Sequence, residues 1–219
     1  MSFAGIPVAA LDFYDDLELD NTKSFWEARK QTYAEAVRGP MQALAATLEP
    51  EFGKAKLFRP YRDVRFSKDK TPYKTHQGLF VQKAPATGLY AEVAAPGFRV
   101  GVGFYHAEPA RLAAFRTAVD SPAGESLERT LAALEGAGWE RGGDRLKTSP
   151  RGWDADHPRI DLLRHKTLTL AKHYGFEDWI HTPALADQVA ADWREAMPLV
   201  TWVTEHTRVE ADDVVLREG

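Results

Sequence analysis

Thr75-His-Gln-Gly-Leu-Phe-Val-Gln-Lys83, Gly88-Leu-Tyr-Ala-Glu-Val-Ala94 and Phe98-Arg-Val-Gly-Val-Gly-Phe-Tyr105 are three short apolar runs in close succession. Ala95-Pro96-Gly97 turns the second into the third, and this spacing predicts a meander of antiparallel strands. Strands in local pairs, without the strict strand–helix alternation of a doubly wound sheet, point to the α+β class with a mainly antiparallel sheet packed against helices.

Upstream of the meander the chain reads as helical. Val8 to Leu17 sets Leu11, Tyr14 and Leu17 on one face, and Ser24-x-x-Glu27 has the form of a capping box opening the next helix. From there Trp26, Tyr33, Val37, Met41, Leu44 and Leu48 keep i, i+3/i+4 spacing, with Lys30 the polar exception. Gly39-Pro40 predicts a kink or a split, because proline suits a first helical turn and not a helix interior.

Downstream, Pro109 opens a helix with Leu112, Phe115 and Val119 inward, and Ser121-Pro122 opens another with Leu127, Leu131 and Leu134. Trp139 to Arg141 and Arg145 to Lys147, joined through Gly142-Gly143-Asp144, predict a short hairpin. A brief helix from His157-Pro158, a strand over Lys166 to Tyr174 and a last helix capped by Thr182-Pro183 complete the reading. That last helix carries Leu185, Val189, Trp193, Met197 and Val200 on one side, with Pro198 bending it. We expect one domain over residues 1–219, with a helical N-terminal portion at about 8–50 and an α+β body at about 57–207.

The 219 residues hold no cysteine, which excludes disulfides, thiolate catalysis and Cys-based metal sites. A cytoplasmic location is the corresponding expectation. The N-terminus has no basic n-region, so no signal peptide is expected, and no apolar run approaches the roughly 18 residues of a membrane span. Net charge is −4, but residues 54–76 carry eight Lys/Arg against two acids, a local +6 that leaves −10 elsewhere. That acidic remainder argues against a long polyanionic partner such as nucleic acid.

Within the basic stretch, Arg59-Pro-Tyr-Arg62-Asp63-Val-Arg65-Phe66-Ser-Lys-Asp69-Lys70-Thr-Pro-Tyr73-Lys74 is the most distinctive run. Guanidinium forks grip carboxylates and phosphates bidentately. As a strand, 63–66 would alternate Val64 and Phe66 against Asp63 and Arg65. The first reading is a cleft for a small anionic, phosphorylated ligand, bound by Arg59, Arg62, Arg65, Lys70 and Arg164 with Tyr73 as a wall. Tyr61 and Phe66 would add stacking surface. The second reading is a non-catalytic structural or interaction protein whose arginines pair internally with Asp63, Asp69 or Asp161. Nucleic-acid binding is the third. Whether the chain is an enzyme stays open at this point; Asp63, His157 and Asp161 are the candidate acid–base groups.

The Arg-x-x-Arg-Asp-x-Arg-Phe core, followed by Asp69-Lys70 and Tyr73, resembles the signature of the family known as domain of unknown function 2461. Asn21 to Trp26 and Asp156-His157-Pro158-Arg-Ile-Asp161-Leu-Leu-Arg164-His-Lys166 are further points of likeness, and the resemblance extends over about residues 8–207. It implies membership of an uncharacterised family and brings no reaction with it. No Gly-x-x-x-x-Gly-Lys loop, His-Glu-x-x-His helix or Gly-x-Ser-x-Gly elbow is present, so neither a cofactor nor a metal is expected. Ser67-x-x-Lys70 lacks the companion motifs of penicillin-recognising enzymes, and Gly101-x-Gly103 lacks the third glycine of a dinucleotide loop.

Overall fold

A computed structural model describes residues 2–65, 67–105 and 107–209. The described residues form helices and one six-stranded sheet in the order β1-β2-β3-β4-β6-β5, with helices filling the N-terminal portion. The fold is α+β. The chain groups into two compact units that interleave along the sequence: 1–81, 90–100 and 173–192 in the first, 82–89, 101–172 and 193–219 in the second.

In the first unit, α1 (Val8–Leu19) buries Ala10, Leu11, Phe13, Tyr14 and Leu17. The next helix begins two residues before the expected capping box: α2 (Lys23–Thr32) is capped by the Thr22 hydroxyl, which accepts from the Phe25 N–H. Thr22 has the extended backbone that an N-cap requires, so it displaces Ser24 from that role. Gly39-Pro40 does not split the helix either. One π-helical segment, Tyr33–Arg38, joins α2 directly to α3 (Gly39–Phe52). Proline removes an N–H and crowds the carbonyl four residues back, and the wider turn absorbs the mismatch, with the Gly39 N–H bonding to the Ala34 carbonyl five residues earlier. The stripe stays continuous, and Phe13, Trp26 and Tyr33 meet as an aromatic core, with Trp26 and Tyr33 ring centres 4.7 Å apart.

Strand β1 (Ala55–Leu57) pairs antiparallel with β2 (His76–Ala84), Leu57 opposite Leu79. The meander continues through β3 (Thr87–Ala94) and β4 (Gly97–Phe104), as the sequence predicts. Gly97, at φ +110°, lies so close to Gly175 that a Cβ would sit 1.9 Å from its carbonyl oxygen. At the other end of β4, Gly103 abuts Leu168 in the same way, which sets β6 (Leu168–Gly175) antiparallel to β4.

In the second unit, α4 (Pro109–Asp120) and α5 (Ala123–Gly136) bury Phe115, Val119, Leu127, Leu131 and Leu134. Phe115 packs between Phe104 and Trp202, at 5.4 and 5.9 Å between ring centres. Arg111, not Leu112, is the residue buried in the first turn of α4, because its guanidinium donates to the Thr207 carbonyl at 2.7 Å. The expected local hairpin at 139–147 is replaced by a long-range pairing. Strand β5 (Glu140–Gly142) lies antiparallel to β6, with Arg141 opposite Leu170, because Asp144 and its neighbours bond to Lys166 and Thr167 and draw this stretch away from a tight turn. After α6 (Ile160–Leu163) and β6, the last helix α7 (Ala184–His206) continues through Pro198. No helix of the described residues is long and apolar enough to cross a membrane.

Candidate functional site

The basic segment is a loop closed at its base, and residues 63–65 do not form the strand expected there. Tyr61 and Tyr73 form an antiparallel bridge, flanked by hydrogen bonds from the Arg62 N–H to the Pro72 carbonyl (2.9 Å) and from the Lys74 N–H to the Pro60 carbonyl (2.8 Å). Prolines at 60 and 72 have no N–H to extend this ladder, so it stops after one rung. Beyond it, charges pair locally: the Arg65 guanidinium grips both Asp63 oxygens, at 2.9 and 2.7 Å. Arg62 donates through Nη1 to Asp69 (2.5 Å) and to the Thr71 hydroxyl (2.7 Å), while Lys70 reaches the Val64 carbonyl (2.9 Å).

These contacts decide what the carboxylates can do. Hydrogen bonds from Arg65 hold the Asp63 carboxyl below its ordinary value, and bonds from Thr71 and Arg62 do the same for Asp69. Neither is tuned toward the raised proton affinity of a general base. Tyr73, expected as a cleft wall, is instead core: 4% exposed, it stacks on Trp26 with ring centres 4.3 Å apart, and Asn21 bonds both its N–H and its carbonyl. A planar ring between two other aromatics gains more from burial than from lining an open cleft. Tyr61 keeps an exposed face. Phe66 lies outside the described residues.

A hollow of about 330 Å³ opens beside the loop, lined by Arg62, Asp63, Ser67, Lys74, Thr75 and His76. Lys74 lies half-buried with its ammonium over the Phe58 ring, 5.2 Å from the ring centre, and has no carboxylate partner among the described residues. Burial and the neighbouring charge of Arg59 both push its pKa down. Arg59 is exposed and makes no hydrogen bond or ion pair among the described residues.

Behind His76 lies a cluster that sequence reading missed. Glu92 on β3 is 6% exposed; it accepts from Arg99 Nε (2.9 Å) and Nη2 (3.2 Å) and from the Tyr90 hydroxyl (2.5 Å), and its Oε2 stands 3.7 Å from His76 Nε2. Gly78 makes this possible, since a Cβ there would lie 2.3 Å from the Tyr90 oxygen. Burial works to raise the Glu92 pKa, but the bonds from Arg99 and Tyr90 outweigh it and the net shift is downward. Burial also lowers the pKa of His76; Glu92 opposes that shift and Lys74, Arg99 and Arg62 add to it, and the net shift is downward. Leu-Tyr-Ala-Glu-Val-Ala reads as an ordinary alternating strand, and the one signal was an acid and an arginine at 92 and 99, either side of a tight turn, where cross-strand pairs form.

The remaining candidates belong to the second unit. Arg164 Nη1 meets Asp161 at 3.2 Å on α6, and Asp161 is otherwise exposed. His157 takes Asp120 as its partner, with Nε2 2.9 Å from Oδ1, while Nδ1 accepts the Arg159 N–H at 3.0 Å. An Nδ1 that accepts fixes the neutral tautomer with its proton on Nε2, so both ring nitrogens serve to anchor the turn before α6. Among the described residues, no group of three His, Asp or Glu is placed to hold a metal ion.

The family described as "Conserved hypothetical protein (DUF2461)" matches residues 9–202. No curated protein matches the chain, and no solved structure does. With most of its length covered by that match, the chain belongs to the DUF2461 family.

Proposed function

We propose that the hollow of Arg62, Lys74 and His76 binds a small anionic ligand, a phosphorylated metabolite being the class that suits it. The observation that carries the reading is Lys74: a half-buried ammonium next to Arg59, with no carboxylate to neutralise it. Such a cation is unfavourable in the empty protein and gains a counter-charge from an anionic guest. Arg62 adds a second cation whose Nη1 is already oriented by Asp69 and Thr71. His76 contributes an imidazole to the hollow, with Glu92 behind it as the positioning carboxylate. The absence of cysteine fits a cytosolic setting.

The test is a thermal-shift screen against phosphorylated and carboxylated metabolites, with Lys74→Met as control. A ligand at 100 times its Kd stabilises by about 2.7 kcal/mol. That shift should vanish in Lys74→Met, while the unliganded variant melts about 1–3 °C higher than wild type because an unpaired cation has gone. Equal ligand-induced shifts in both proteins would remove Lys74 as a ligand group.

A second reading is favoured by the Arg62–Asp69 and Arg65–Asp63 pairs, which make the loop largely self-neutralising. On that reading the segment is a structural or interaction element with no guest, and a screen that moves no melting temperature supports it.

A further inference from the structure

The second unit contains a separate hollow of about 310 Å³, lined by Glu135, Arg141, Gly142, Gly143, Arg145 and His165. Its rim is pinned by bonds between distant stretches of chain. The Leu146 N–H donates to the Arg164 carbonyl (2.8 Å), the Lys166 and Thr167 N–H groups donate to the Asp144 carbonyl (2.7 and 3.3 Å), and the Asp144 N–H donates to the Thr167 hydroxyl (2.7 Å). Gly143, at φ +106°, sits where a Cβ would come within 2.2 Å of the Thr167 carbonyl oxygen. A rim held this way is ordered before any ligand arrives, which lowers the entropic cost of binding.

His165 forms the floor and is 2% exposed. Its Nδ1 is 2.7 Å from the Thr167 carbonyl oxygen, and a carbonyl only accepts. Nδ1 therefore carries the proton, and the neutral ring keeps its lone pair on Nε2, for which the described residues supply no donor. Burial opposes protonation of this ring. The Thr167 carbonyl and Asp161 act in its favour, Arg145 and Arg141 against, and the net shift is downward. At the rim, Glu135 on α5 occupies Arg141, with contacts of 2.8 and 2.9 Å. The Arg145 guanidinium has no partner among the described residues.

We propose that this hollow is a binding site for a protonated oxyanion of the hydrogen-phosphate class. The anionic oxygens take the Arg145 fork, and the P–O–H group donates to Nε2 of His165. An oxyanion with no hydroxyl, such as sulfate at neutral pH, sets a lone pair against the Nε2 lone pair and leaves both unpaired, so the site discriminates against it. The site shares no residue with the hollow in the first unit.

The test uses the full-length protein with ¹⁵N-labelled histidine, titrated with sodium phosphate and with sodium sulfate at equal ionic strength and pH 7.5, and reads the imidazole nitrogens. Disappearance of its signals in His165→Gln assigns His165. Should that variant not fold, the carbonyl-bonded Nδ1–H identifies it once His181→Gln has assigned the other such ring, His181, whose Nδ1 meets the Ile6 carbonyl at 2.6 Å. Phosphate should move the His165 Nε2 resonance saturably, with sulfate at least about tenfold weaker. Arg145→Ala, a change at an exposed position, should weaken phosphate about tenfold and leave the backbone spectrum in place. Lys74→Met should leave this titration untouched, which separates the two hollows. No saturable shift, equal affinity for the two anions, or full affinity in Arg145→Ala each overturns the proposal and leaves the first-unit reading standing.

Discussion

Arg65 and Asp63 face each other as a bidentate pair with side chains 77% and 46% exposed, whereas the Glu92 side chain, gripped by Arg99 in a similar way, is 8% exposed. The first pair lies in the part of the sequence densest in charge, the second in a strand that looks unremarkable. Water screens the exposed pair, so its formation changes stability little. The buried carboxylate has given up its hydration and depends on Arg99, Tyr90 and the nearby His76 ring for compensation. Density of charge in a sequence thus marks where charges are plentiful, and burial decides where each one matters.

The contrast breaks if the two carboxylates respond alike to removal. Glu92→Gln should give the largest effect, a loss of about 2 kcal/mol in urea unfolding, moderated because Arg99 keeps 40% of its side chain in water. The same variant tests the acid limb. Glu92 has a folded pKa below its unfolded one, so its contribution is complete above the ordinary carboxylate range and disappears as pH falls through the folded value. His76, also depressed, acts earlier: below about 6.5 the unfolded ring takes a proton that the folded ring refuses, and stability falls. Stability against pH should therefore show two declines, the upper shared by His76 and His165 and the lower reduced in Glu92→Gln, where Asp63, Asp69 and Asp120 still contribute.

A smaller effect is expected from Gly78→Ala, which pushes on the Tyr90 hydroxyl without touching any charge. Displacing that ring and its bond to Glu92 should cost about 1–2 kcal/mol, and the variant sharpens the comparison by showing that the cluster depends on packing as well as on charge. Smallest of all is Arg65→Ala, with a change of at most about 0.5 kcal/mol in the same assay. A loss there matching that of Glu92→Gln would erase the distinction between the two regions.

The periodic elements were legible because their signals are local. Trp26, Met41, Leu44 and Leu48 repeat at helical spacing, and the Pro96-Gly97 turn announces the meander. Partners far apart in sequence were not. The pairing of Arg141 with Leu170 in place of a hairpin depends on where Thr167 lies, and the burial of Tyr73 depends on Trp26 standing beside it. For the candidate site, Arg62 and Lys74 stood out as cations, but His76 and Glu92 gain their meaning from contacts that no spacing rule encodes.

The widened turn at Tyr33–Arg38 sets the phase of everything after it. A π segment amounts to one residue added to an α-helix, and each residue in such a helix advances the side chain by about 100°. Winding all six residues as regular α-helix would swing Met41, Leu44, Leu48 and Phe52 by about 100° relative to Trp26, whereas deleting one residue between 33 and 38 would restore regular winding and leave their phase as it is. The wide turn thus takes up an extra residue without turning the second half of the helix, and Pro40, which has no N–H to give, falls beside bonding that already runs five residues back.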